Sequence, residues 1–188
     1  MIRRLYMVLL VVMLAGLGWW VTAAEQEKGP KPGTEVQSFS LNYLNKSGKV
    51  VLKNYFCNPV TDSNKLVVLT FFASWCKPCK LELPHLEEAY KKYHPQGLEI
   101  MAVFSEKESD KVQWAKDWFK ENNLEFSLLH DEFGIVKKRF EIEEYPTSYI
   151  INRHGVIVRK MTGYYDEVAK EFDSLMDSLL VVKSDVKK

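Results

Sequence analysis

The chain has 188 residues, 26 basic against 25 acidic side chains, and a formal charge of +1. Its 46% hydrophobic and 13% aromatic content can fill a core, which argues against general disorder. So even a charge balance leaves no basic footprint for nucleic acid, and partners have to be argued from a site.

Residues 1–24 read as a separate object. Arg3 and Arg4 precede an apolar run from Leu5 to Val21, and small residues at Val21 to Ala24 suit a signal peptidase. This is either a cleavable signal peptide or a retained N-terminal membrane anchor, and both export the rest of the chain. The expected location is periplasmic or otherwise extracytoplasmic. Residues 25–34, with two prolines and two glycines, read as a linker. The segment 36–56 shows two short extended runs around Asn45-Lys46-Ser47-Gly48, a hairpin signal. Residues 65–73, "KLVVLTFFA", form a continuous apolar run that predicts a strand buried on both faces.

A helical pattern follows from Cys76 to about Tyr93, with Pro84 expected to kink it. Residues 98–105 predict a second buried strand. Residues 109–123 predict a helix with Val112, Ala115, Trp118 and Phe119 on one stripe. A short strand (125–130), a short helix within 131–142, two strands around Arg153-His154-Gly155, and a closing helix complete the order. In that last helix Val168, Phe172, Leu175 and Leu179 are expected to share the buried face. The body spans 35–182, and 183–188 read as a polar tail. Alternating helices and strands with a final antiparallel pair predict an α/β domain: a central mixed sheet flanked by helices, with an N-terminal β-hairpin.

The chemistry concentrates in "FFASWCKPCKLELP", Phe71 to Pro84. Cys76 lies where a strand gives way to a helix. Unpaired N–H groups and the macrodipole there favour an anion, and the thiolate is the attacking species in disulfide exchange. Lys77 adds a positive charge, and Pro78 sits in the first turn, where its missing N–H costs little. Cys79 is placed to attack a mixed disulfide formed by Cys76. Four-ligand zinc needs more than one such pair. A structural disulfide of this spacing closes almost no loop and stabilises little.

This segment resembles the active-site stretch of thioredoxin-like proteins, and specifically the exported TlpA/ResA branch that includes the cytochrome c maturation thioredoxins. The resemblance spans roughly residues 36–180. Trp75, Cys76, Pro78 and Cys79 match its WCxPC motif, followed by Glu82 and Pro84, and "YPTSYIINRHGVIV" resembles its cis-proline segment at Pro146. It implies a thioredoxin-like fold, Cys76 as the more exposed attacking thiol, and Cys79 as the resolving one. It also implies a cis Pro146 that sets the Tyr145 backbone beside Cys76 to hold substrate, with Trp75 at the same surface. Thioredoxins themselves carry a buried aspartate six residues before the first cysteine; here that position is Thr70. Glu82, three residues after Cys79, could supply the missing acid–base function, or it could be a solvated first-turn glutamate.

The function implied is an exported thiol–disulfide oxidoreductase. It would reduce client proteins such as apocytochrome c and be recharged by a membrane dithiol donor. The redox-active Cys76–Cys79 pair would be its only cofactor, with no metal, and a monomer is expected. The rivals are an oxidant like DsbA, a thioredoxin-fold copper chaperone, and a peroxidase. No long helical block interrupts 98–147 as in DsbA. Copper chaperones of this fold space their cysteines by three residues rather than two. No second motif supplies a peroxidatic cysteine. Cys57 reads as an inert buried thiol, with a regulatory disulfide as the alternative. His85, His94, His130 and His154 show no ligand spacing.

Overall fold

The computed structural model describes residues 28–56 and 66–180. The leader, Cys57 and the polar tail lie outside the described residues. Seven strands form one sheet among the described residues: β1 (Ser40–Tyr43), β2 (Lys49–Val51), β3 (Leu66–Phe72), β4 (Leu98–Phe104), β5 (Ser127–His130), β6 (Thr147–Asn152) and β7 (Ile157–Thr162). Four α-helices accompany them: α1 (Cys79–Tyr93), α2 (Ser109–Glu121), α3 (Ile135–Arg139) and α4 (Asp166–Leu180). The spatial order is β2-β1-β5-β4-β3-β6-β7. β3 pairs parallel with β4 and antiparallel with β6, so the sheet is mixed and the hairpin β1–β2 extends one side. Element order and fold class agree with the sequence reading.

All seven residues of β3 are buried, as its unbroken apolar run requires. Alternation divides them between two layers. Leu66, Val68 and Phe72 face a layer built with α1, α2 and α4, where Phe72 packs on Phe104 and Phe119 at centroid distances of 5.2 and 5.8 Å. Val67, Leu69 and Phe71 face the layer of α3 and the N-terminal segment, where Phe71, Phe140 and Tyr149 form an aromatic cluster. Thr70 belongs by alternation to the α1 side, and this parity positions the site.

Three local expectations need correction. The helix holding the cysteines begins at Cys79, not Cys76, because the chain first makes a turn that brings the Cys76 N–H to the Ala73 carbonyl at 3.1 Å. It then runs on through Pro84, which lacks the N–H that would reach the Lys80 carbonyl. In α4 the buried row is Phe172, Met176 and Leu180, while Leu179 is 39% exposed. Steps of four keep the contact with α1, and a final step to 179 turns outward. Finally, residues 28–34 of the expected linker lie against the body. Lys28 pairs with Glu143 at 2.7 Å, and the Gly33 N–H donates to the Ile157 carbonyl at 2.8 Å. Gly29 permits this approach, since a Cβ on it would sit 2.4 Å from the Phe140 carbonyl oxygen.

The α4 row can be tested by urea unfolding. Met176→Ala should cost about 2–5 kcal/mol as a cavity-forming change, and Leu179→Ala less than about 1 kcal/mol. Equal losses would contradict the packing described.

Candidate active site

β3 ends at Phe72, and Ala73 to Pro78 carry the chain over the edge of the sheet into α1. Cys76 and Cys79 are joined by a disulfide with Cα atoms 5.4 Å apart. The Cys79 N–H donates to the Cys76 sulfur at 3.2 Å. Pro78 has no N–H, and the N–H groups of Lys80, Leu81 and Glu82 are taken by the carbonyls of Lys77 and Pro78. The donor at the mouth of the helix is therefore aimed at sulfur. In the dithiol state the same donor and the helix dipole favour a Cys76 thiolate.

In the disulfide form both cysteines are buried, Cys76 at 2% exposure and Cys79 at 0%. The resemblance implied Cys76 as the more exposed of the two; in this disulfide both are closed off from solvent. Its neighbours Trp75 and Lys77 are exposed and Pro78 is half-buried. The exposed ring of Trp75 meets Tyr145 edge to face with centroids 5.4 Å apart, and the Lys137 ammonium lies over the Tyr145 ring at 5.3 Å from its centroid. The Tyr145–Pro146 peptide is cis, as the resemblance implied, and the Pro146 carbonyl accepts from Gly163 N–H at 2.8 Å. The Trp75–Tyr145 contact thus joins the turn that carries the cysteines to the cis-proline segment. A cavity of about 260 Å³ beside Phe39, His130 and Arg139 contains neither cysteine.

Beneath this surface lies Glu82, 6% exposed. Thr70 donates its hydroxyl to Oε2 at 2.9 Å, and Ser148 donates to Oε1 at 2.8 Å. Thr70 and Ser148 stand directly opposite each other in the β3–β6 register. The two strands therefore present a pair of hydroxyls to one carboxylate on α1. The reading of Glu82 as a solvated helix residue fails. Burial raises its pKa to about 7, against the lowering effect of the Ser148 and Thr70 hydrogen bonds. Nearby Tyr164 is raised as well, by its own burial first and then by the charge of Glu82. Glu82 and Cys79, three residues apart, share a helix face.

Sequence reasoning passed over Ser148. Its one signal was a small hydroxyl residue on a strand otherwise apolar, at the parity facing α1. Thr70 was noted only as a departure from aspartate, whereas it is half of the carboxylate's support.

Residues 32–160 match the AhpC/TSA family. The chain belongs to the AhpC/TSA family. Within it, this chain is similar to the thiol-disulfide oxidoreductase ResA of Bacillus cereus, 29% identical over 164 residues that cover 86% of this chain and 88% of that protein. It is 33% identical to the thioredoxin-like protein YneN of Bacillus subtilis over 164 residues, covering 84% and 88%. In fold it matches a Chlorobium tepidum protein described as a thiol:disulfide interchange protein DsbE, with a TM-score of 0.69 and 24% identity, covering 80% of this chain and 98% of that one. The fold is thioredoxin-like. These relatives and the Cys76–Cys79 pair make this AhpC/TSA chain a thiol–disulfide oxidoreductase.

Glu82 carries a pH signature. Its folded pKa of about 7 lies above the ordinary 4.5, so between those values the folded protein holds a proton that the unfolded chain has lost. This group's contribution to stability is complete below the ordinary value and is lost as the pH rises toward the folded one. Glu82→Gln should therefore gain on the wild type as pH rises across that window, by on the order of 3 kcal/mol, and then level off. Denaturant unfolding of the oxidised protein at a series of pH values reads this directly. A pH-independent difference would refute the shift.

Proposed function

We propose that the chain is an exported reductant of protein disulfides. In the forward direction the Cys76 thiolate attacks one sulfur of a client disulfide. A mixed disulfide forms and one client sulfur leaves as thiolate. The Cys79 thiolate then attacks Cys76, closing the Cys76–Cys79 disulfide and releasing the second client sulfur. Two electrons pass from the protein's dithiol to the client, and an external dithiol must return them. The observation that carries this reading is the Cys79 N–H directed at the Cys76 sulfur where α1 begins.

Glu82 is assigned the proton. With a pKa near neutrality it can take the Cys79 proton as that thiol becomes the second nucleophile, and return it when the disulfide is opened. The exposed Trp75 ring and the backbone at Tyr145–Pro146 receive an extended client segment next to Cys76, while Lys77 and Pro78 adjust the thiol's environment. Residues 1–24 deliver the chain to, or tether it at, the outer face of the cytoplasmic membrane. No helix among the described residues is long and apolar enough to cross a membrane, so a tether would rest on that leader. A membrane dithiol protein recharges the disulfide, apocytochrome c is one candidate client, and the protein acts as a monomer without a metal or organic cofactor.

Three measurements bear on this. Cys76→Ser should abolish reduction of insulin disulfides, and Cys79→Ser should accumulate a mixed disulfide with the client. Equilibration of the Cys76–Cys79 pair with glutathione should give a potential near the thioredoxin value of about −270 mV. A potential near about −120 mV, the DsbA value, would reverse the direction assigned here.

A further inference from the structure

The turn that carries Cys76 is held from outside by a single side chain. Glu106 lies just beyond the end of β4, in the connection to α2. Its carboxylate grips Ser74, two residues before Cys76, at two points: the Ser74 N–H donates to Oε2 at 2.6 Å and the Ser74 hydroxyl donates to Oε1 at 3.0 Å. Both contacts are charge-assisted and partly shielded from water, the geometry in which such bonds are strongest. The far end of the clamp is fixed in turn. His130, at the end of β5, donates from Nε2 to the Glu106 carbonyl at 3.1 Å, and Asp131 N–H donates to the Phe104 carbonyl at 2.8 Å.

We infer that Glu106 is a positioning residue for the dithiol: by locking Ser74 it sets the turn from Ala73 to Cys76 and so holds the Cys76 sulfur on the Cys79 N–H. The inference rests on the oxidoreductase reading of this site and adds a residue that touches neither cysteine nor client. The connection runs through adjacent bonds. Ser74 follows Ala73, whose carbonyl receives the Cys76 N–H at 3.1 Å, and the Cys76 sulfur receives the Cys79 N–H at 3.2 Å. A slack turn would let the sulfur move off the donor that favours its thiolate.

The carboxylate also brings a negative charge against Ser74, two residues from Cys76. Charge and clamp have opposite effects on Cys76. A charge alone disfavours the thiolate, so its removal would make the thiol more acidic; loss of the clamp would make it less acidic.

The experiment follows from that opposition. The reduced full-length protein is alkylated with iodoacetamide between about pH 3.5 and 10, a range that covers both thiols at helix N-termini and free cysteine. This yields the Cys76 ionisation profile without reference to any client or direction of electron flow. Insulin reduction is measured alongside. Glu106→Ala removes clamp and charge. Glu106→Asp keeps the charge and shortens the arm by a methylene. Glu106→Gln removes the charge but keeps an oxygen for the Ser74 N–H.

E106D, which keeps the charge but loosens the clamp, should move the alkylation midpoint to higher pH. E106A should fall between E106D and E106Q, and both E106D and E106A should slow insulin reduction by up to about a hundredfold, as misplacement of a reacting group does. E106Q should keep its midpoint at or below that of the wild type and its rate within about threefold. An unchanged profile in E106D, or an E106Q as impaired as E106A, would overturn the inference. If E106A does not fold, E106D decides. Failure of the wild type itself to reduce insulin would count against the proposed function, while the alkylation profiles would still judge Glu106.

Discussion

One backbone N–H group, that of Cys79, is aimed at the sulfur of Cys76, and most of the molecule can be understood as the apparatus that keeps it there. β3 ends at a fixed point because all of its residues are buried between two layers. α1 begins at a fixed point because Cys79, Leu83, Leu86, Ala89 and Tyr93 bury one of its faces against the sheet. Each large apolar side chain so buried contributes about 1.5–3 kcal/mol. The exposed ion pairs, such as Lys92 with Asp177, are screened by solvent and add little. Packing therefore sets the helix position, and the surface pairs between α1 and α4 only trim it. Between these two fixed points the turn has little freedom, and the Glu106–Ser74 contacts remove more of it.

The second constraint is the carboxylate below. Two hydroxyls on facing strands satisfy Glu82 without neutralising it, since Thr70 and Ser148 donate hydrogen bonds but bring no positive charge. Desolvation therefore prevails over hydrogen bonding and leaves the group near neutrality. A lysine in place of either hydroxyl would hold the carboxylate ionised, and open solvent would return it to its ordinary range. Only an arrangement that is buried, satisfied and unpaired makes it able both to accept and to release a proton at physiological pH. The same arrangement costs stability at neutral pH, because the unfolded chain has already released the proton that the folded carboxyl keeps.

Beside the active-site turn the molecule presents an exposed aromatic rim. Trp75 meets Tyr145 edge to face, and Lys137 lies over the Tyr145 ring. Such a rim suits a macromolecular client that brings its own sulfur to the surface.

Much of this was legible in the chain alone. The unbroken apolar run of β3, the cysteines at its junction with a helix, and the alternation of later strands and helices determined the fold class and pointed to a redox dithiol. Those are local patterns, set by periodicity and by the chemistry of a helix N-terminus. The partners of Glu82 could not be read, because Thr70, Glu82 and Ser148 lie on three elements and meet only through sheet register and strand parity. The same holds for Glu106 and Ser74, 32 residues apart. Nor could the buried row of α4 be chosen between 175/179 and 176/180, since both fit a helical period and only packing against α1 selects one. Sequence determined which residues could do the chemistry; the tertiary structure decided what surrounds each of them, because burial and cross-strand contact depend on how the elements pack.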